Sequence, residues 1–271
     1  MRRMACVLSF LLAHGLVSAQ DKVVTGRVVN GRGDGIEYVS IGIPKDTVFT
    51  VSDTLGYFRL SLPAGKTENV VFKHVSYETF SVSPEYCYNA TGDMIVTLVD
   101  NVLPEVVVFP DAGKTVTVLG KGVRWAGCWF GLSNKWGGIK DNEWGSIERI
   151  RKPTRIDRAE LEARLSEAQK AVLSFVIYKT DSNESEFIPV QHHPVYQTIY
   201  DADGEKNLVF EMAETLILEP GRYFFAIRFV EFIGNGSLEC QGYFKRAYER
   251  SDELKVPFSL GLKVIGIEYS N

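Results

Sequence analysis

The stretch Thr50–Pro63, TVSDTLGYFRLSLP, constrains the fold more than any other part of the chain. A polar turn leads into Gly56, a glycine of the kind such turns require. Beyond it Phe58, Leu60 and Leu62 alternate with Tyr57, Arg59 and Ser61, so one face is apolar and the other polar. Period 2 of this regularity predicts a half-buried β-strand.

The neighbouring segments repeat the theme. Val23–Asn30 is β-rich, Gly31–Gly35 (GRGDG) is a turn cluster, and Ile36–Ile43 continues as a strand until Lys45-Asp46-Thr47 breaks it. Thr47–Val51, Tyr57–Leu62, Asn69–Val75, Thr79–Val82 and Met94–Val99 complete a series of short strands separated by Gly, Pro, Asn and Asp. That spacing predicts an all-β sandwich over residues 21–100.

The quoted residues carry a resemblance. GRVVN, GIEYVSIGI, TVSDTLGYFRLSLP, VVFKHVSYE, MIVTLVD and LPEVVV together resemble the carboxypeptidase-regulatory-like domain, a transthyretin- or Ig-like sandwich, over residues 23–108. The resemblance implies a protein of the Gram-negative cell envelope, where this module often precedes the plug and barrel of TonB-dependent receptors. No plug or barrel pattern follows here, and the zinc pattern of the metallopeptidases that named the module is missing. The motifs point to a fold and leave function to the sites.

Residues 101–117, with Pro104, Pro110 and Gly113, read as a linker. Residues 118–271 form a second unit whose clearest strand is Arg222–Phe232, with Tyr223, Phe225, Ile227 and Phe229 on one face and a mixed set on the other. Ala171–Lys179, Pro194–Tyr200, Asn207–Leu218, Ser237–Lys245 and Leu254–Tyr269 are further strands, a series that suggests a jelly-roll-like β-sandwich. Arg155–Ala171 has helical composition. Yet Ala159, Leu161, Ala163 and Leu165 fall at period 2, so Ile156–Leu165 is read as strand, with helix as the alternative.

The N-terminus reads as a signal peptide over residues 1–19. Arg2 and Arg3 precede an apolar run, and Val17-Ser18-Ala19 sets cleavage between Ala19 and Gln20. The apolar run, interrupted by His14, is shorter than the ~20 residues of a membrane span. No cysteine stands at the cleavage point, which argues against a lipid anchor. An exported protein of the periplasm or outer-membrane surface is the expectation, with no transmembrane segment in the mature chain. The formal charge of −4 becomes more negative once the two leader arginines are removed, which disfavours a nucleic-acid partner. Of the cysteines outside the leader, Cys128 and Cys240 form a possible disulfide within the second unit; three reduced thiols, Cys87 included, are the alternative.

Four tryptophans, Trp125, Trp129, Trp136 and Trp144, are the chain's whole complement and lie within a Gly-rich stretch. Flat rings on such a segment can stack on sugars or anchor a protein; packing of the domain end is the plainer alternative. Metal chemistry finds no support. His74-Val-Ser-Tyr-Glu78 and the adjacent pair His192-His193 lack the spacing that converges two ligands. Asp201-Ala-Asp203-Gly204 has its glycine too early for a calcium loop and reads as a turn. Arg32-Gly33-Asp34 is also a turn. No nucleophile elbow appears, and no cofactor is implied. These readings converge on a non-catalytic exported binding or scaffold protein that recognises a glycan or an envelope protein. A glycan hydrolase with an unidentified carboxylate pair and a purely structural assembly subunit are the rivals.

Overall fold

The structure, a computed structural model, describes residues 21–44, 46–101, 113–120, 129–133, 142–191, 193–243, 247–249, 254–256 and 258–270. The leader, with Ala19 and Gln20, lies outside them, as do Trp125, Cys128 and Trp136. Among the described residues no helix is long and apolar enough to cross a membrane.

The first unit is two packed sheets. β1 (Lys22–Val29), β2 (Ser40–Gly42), β3 (Phe49–Val51), β4 (Tyr57–Leu62), β5 (Val70–His74), β6 (Tyr77–Val82) and β7 (Met94–Thr97) divide into layers ordered β4-β1-β7 and β3-β2-β5-β6. The opening segment behaves as its alternation requires: Phe58, Leu60 and Leu62 are buried while Tyr57, Arg59 and Ser61 are exposed. Asp53 Oδ1 accepts the Leu55 and Tyr57 N–H groups at 2.9 and 2.8 Å, closing the turn. Gly56 sits there at φ 85°, where a Cβ would stand 2.3 Å from the Val28 carbonyl oxygen. The core joins Val24, Val28, Ile41, Phe58, Leu60, Phe72 and Leu98. One helix, α1 (Pro84–Asn89), was not read from the sequence. Its cue is local: Ser83 caps the Tyr86 N–H, Pro84 opens the first turn and Glu85 follows.

The second unit is built on two very long strands. In chain order its strands are β8 (Gly113–Leu119), β9 (Trp129–Ser133), β10 (Glu143–Ile150), β11 (Thr154–Thr180), β12 (Phe187–Pro189), β13 (Val195–Tyr200), β14 (Lys206–Leu218), β15 (Gly221–Tyr243), β16 (Ala247–Glu249), β17 (Leu254–Val256), β18 (Ser259–Leu260) and β19 (Lys263–Tyr269). The main sheet runs β17-β16-β10-β15-β11-β19-β8, and its ladders are antiparallel. The all-β expectation holds, and Ile156–Leu165 is strand, with Ile156, Ala159, Leu161, Ala163 and Leu165 buried. β8 begins at Gly113, inside the stretch read as linker, and pairs with β19.

A straight strand of the 27 residues in β11 would be ~90 Å long, far beyond the size of a domain of about 150 residues. It therefore bends. The β11–β15 register shifts between Ser166 and Lys170, Glu167 adopts φ 54°, and Gly234 of β15 lies at φ 121°. At this corner β11 leaves its partners β14 and β19 and takes up β13, while β15 pairs with it on both sides. A bulge that lets a strand change layers makes a sandwich corner without breaking the ladder. The sequence suggested separate strands on either side of it, Ile156–Leu165 and Ala171–Lys179.

Gly236 marks the tightest point, since a Cβ there would stand 1.9 Å from the Ser166 carbonyl oxygen. Gly236→Ala should destabilise the protein by about 1–3 kcal/mol in urea denaturation. Gly131→Ala, whose Cβ would meet nothing nearer than 3.8 Å, should change stability by less than about 0.5 kcal/mol. Equal effects at the two sites would remove the corner its special role.

Candidate functional site

The sheet has two environments, divided by the corner. On the second half of β11 and the first half of β15, every residue of 171–178 and 223–230 is buried. One face, with Leu173, Phe175, Ile177, Phe225 and Ile227, fills the main core. The opposite face carries Val176, Tyr178, Phe224 and Ala226, packed with Tyr248 and with Val75 of the first unit. The first unit is thus docked on the sheet.

Polar groups occupy the middle of this junction. Arg228, only 3% exposed, donates from Nη2 to Ser40 Oγ at 2.5 Å and approaches the Lys73 carbonyl at 3.5 Å. Glu143, its direct cross-strand partner, is 1% exposed and accepts the Tyr178 hydroxyl at 2.6 Å. His74 is also buried. Its Nδ1 accepts the Ser76 N–H at 3.3 Å, which leaves the ring proton on Nε2, donated to Tyr196 Oη at 3.0 Å. Burial, aided by the Arg228 charge, drives the His74 pKa from 6.5 down to about 3, so the ring is neutral at physiological pH. Burial likewise pushes the Tyr196 phenol upward. Tyr38 packs on the Tyr196 ring at 4.6 Å from a left-handed backbone, φ 54°, unusual for an aromatic residue.

On the other side of the corner, the outward face carries polar side chains paired with one another. Trp129 lies opposite Gln241, and Arg164 lies opposite Glu239. The Arg164 guanidinium sits 4.3 Å from the Trp129 ring centroid and donates from Nε to Glu239 Oε2 at 2.7 Å. Trp129 is half-buried, and Gly131, two residues along the same face, is exposed. The row continues with Arg158 and Lys263, both paired with Glu160. Exposed pairs of this kind add at most ~1 kcal/mol each, so their effect is to hold side chains in place.

The remaining sequence candidates fall elsewhere. Phe130, next to Trp129, points inward and stacks on Phe258 at 4.3 Å, and Trp144 meets Phe258 at 5.1 Å. Trp144 is 6% exposed and belongs to the main core, so its ring is committed to packing and is not part of any platform with Trp129. Cys240 is fully buried, and burial pushes its thiol pKa up to about 12; Cys128, its expected disulfide partner, lies outside the described residues. His193 is exposed, its N–H donated to Glu214 Oε1, and His192 lies outside the described residues. Asp203 accepts the Tyr200 N–H and the Lys206 ammonium, completing a turn. Asn30 Oδ1 accepts the Arg32 and Asp34 N–H groups and closes the RGD turn. Among the described residues no three His, Cys, Asp or Glu side chains converge to hold a metal ion. The junction residues His74, Tyr196, Arg228 and Glu143 were not singled out from the sequence as a group. A charged residue in the second, mixed face of Arg222–Phe232 was the available signal.

No family model matches the chain, and no curated protein matches it. Among solved structures, one of infectious bursal disease virus Gt strain aligns over 93% of this chain and 61% of that chain, at 12% identity and TM-score 0.27. The chain thus spans about three fifths of the viral chain's length. A structure of carbohydrate-binding modules from the beta-sandwich super family aligns over 92% of this chain and 95% of that chain, at 8% identity and TM-score 0.17. Likenesses this remote carry no argument about fold or function.

Two outcomes follow from the junction. Because the unfolded chain binds a proton at His74 near pH 6.5 and the folded chain only near 3, stability is lost as pH falls through that window. The slope is about 1.4 kcal/mol per unit, levelling off below the folded value. The stability difference between wild type and His74→Gln, from urea titrations at each pH, should shrink accordingly; a pH-independent difference would contradict a neutral buried imidazole. Arg228→Met should cost about 1–3 kcal/mol in urea denaturation by removing the buried guanidinium's hydrogen bond to Ser40 Oγ.

Proposed function

We propose that this chain is a non-catalytic binding protein of the bacterial cell envelope, and that its recognition surface is the outward face around Trp129. One observation carries the reading: a half-exposed indole whose neighbours on the same face are a guanidinium fixed by a carboxylate and a primary amide. A flat ring supplies CH–π contact to a sugar, while Arg164, Glu239 and Gln241 supply directional donors and acceptors that select hydroxyl positions. The glycine at 131 keeps the strand low beside the ring. Binding here needs no group to change protonation and no bond to be made.

The first unit acts as a rigid scaffold, since its contact with the second unit is apolar at one end and hydrogen-bonded at the centre. Export to the periplasm or outer-membrane surface rests on the leader pattern and on the resemblance of residues 23–108. A glycan is preferred to an envelope protein as the partner because, among the described residues, the face is polar and holds one large aromatic ring instead of an apolar patch.

A glycan array followed by calorimetry tests this directly. Trp129→Ala should weaken binding at least tenfold, about 1.4 kcal/mol, whereas Trp144→Phe should leave affinity unchanged. Iodide should quench the fluorescence that Trp129→Phe removes. Absence of any glycan ligand, with partners captured by cross-linking in envelope preparations, would replace the glycan with a protein. Steady release of reducing ends from polysaccharide would overturn the non-catalytic assignment.

A further inference from the structure

Beside the junction lies an open cleft of about 520 Å³. β3 lines it through Thr50 and Val51, β4 through Tyr57 and Arg59, and the second unit through Lys170 and Glu231. β3 is the outermost strand of its sheet, and among the described residues it pairs with β2 alone. In that ladder the Ile43 N–H donates to the Val48 carbonyl at 3.0 Å, and the Ser52 N–H donates to the Val39 carbonyl at 3.1 Å. Hydrogen-bonding direction alternates along an antiparallel strand, so Val51, next to Ser52, turns its N–H and C=O away from β2. That edge has no second strand among the described residues, and it borders the cleft.

A second observation concerns charge. Lys170 and Glu231 pair at 2.6 Å and neutralise each other. Asp53, also at the cleft, has Oδ1 taken up by two N–H groups of its own turn. The Arg59 guanidinium, on the exposed face of β4, has no ion-pair or hydrogen-bond partner among the described residues. The cleft thus joins an open strand edge to an unpaired cation. Its size fits a strand as well. With a rise of about 3.3 Å, a strand spacing of about 4.8 Å and a layer of about 10 Å, one strand residue fills about 160 Å³. The cleft therefore takes about three residues, the length of β3.

We propose that this cleft takes an extended acidic peptide segment of a partner protein, which adds to β3 as a further strand and sets a carboxylate on Arg59. Val51 exchanges main-chain hydrogen bonds with the peptide, which supplies affinity without regard to sequence. Arg59 then selects Asp or Glu at one position through a charge-assisted hydrogen bond. The exposed Tyr57 ring beside it offers packing surface to a neighbouring peptide side chain. The cleft shares no lining residue with the Trp129 face, so the first unit carries a partner of its own.

Selection of a phage-displayed random heptapeptide library on the full chain, followed by calorimetry with the synthetic peptides, tests the proposal. Selected peptides should share an Asp or Glu at a fixed position within a β-prone run. Arg59→Gln should weaken them at least tenfold, and Arg32→Gln, an exposed arginine outside the cleft, should leave affinity unchanged. Val51→Pro removes the outward N–H at an edge position of the kind that tolerates proline. It should also weaken binding at least tenfold while keeping the wild-type melting transition. If that variant fails to fold, the peptide itself supplies the test: N-methylation of alternate residues should abolish binding in one phase and spare it in the other. No enriched peptide, peptides indifferent to Arg59→Gln, or equal tolerance of N-methylation in both phases would overturn the assignment. So would a dimer in sedimentation that Val51→Pro dissociates, which would make a second copy of the chain the occupant.

Discussion

The structure depends on a β-sheet region that is apolar on both faces. Antiparallel sheets commonly expose one face to water, and alternation then records which face is which. Over residues 171–178 and 223–230 no such face exists. Phe225 and Ile227 are spent on the main core, and Phe224, Ala226, Val176 and Tyr178 are covered by Val75, Tyr248 and their neighbours. Left uncovered, this second face would be a large exposed hydrophobic patch. Docking of the first unit is therefore a requirement of the second unit's own sequence.

Apolar covering alone would not set the orientation of one sandwich on the other. The polar groups do that. Arg228 reaches Ser40, His74 reaches Tyr196, and Tyr38 packs over Tyr196. Arg228 and His74 are buried, so each is satisfied only in one relative placement of the units. A rotation of the first sandwich by a few degrees would leave a guanidinium and an imidazole without partners in a region with little water. The network adds little net stability compared with well-packed hydrocarbon and much specificity. Among the described residues, clefts lie beside the junction: Tyr38 and Lys170 line one, His74 and Glu214 another, each from both units.

The local layer of this fold was legible and the long-range layer was not. Gly56, Asp53 and the alternation from Tyr57 to Leu62 specify a turn and a strand within a dozen residues, and they do so unaided. Ile156–Leu165 was readable as strand because Ala159, Leu161, Ala163 and Leu165 kept period 2 despite helical composition, a case where burial overrode propensity. The union of Ile156–Leu165 with Ala171–Lys179 was not readable, since a bulge at Glu167 looks like any polar loop when Gly236, whose backbone lies against it, is 69 residues away. For the same reason Arg228 and His74 could not be joined in advance. Trp144 shows the opposite error: four tryptophans in one stretch suggested one surface, yet Trp144 opposite Ile227 faces the core and Trp129 opposite Gln241 faces outward. Sequence proximity says nothing about face when the residues belong to different strands.

The same corner that routes the strands also decides where recognition can occur. A sheet offers a face to a ligand only where nothing is docked on it. Beyond the bulge, β11 and β15 carry Arg164, Glu239 and Gln241 outward in register with Trp129, while Ala163, Leu165, Leu238 and Cys240 turn inward. Before it, the outward face is occupied by the first sandwich and its buried charges. One pair of strands therefore serves two surfaces, and a register slip of one residue on either side of Ser166–Lys170 would exchange a core face for a polar one. Gly234 and Gly236 hold that register, which makes the corner a condition for both the domain junction and the outward tryptophan face.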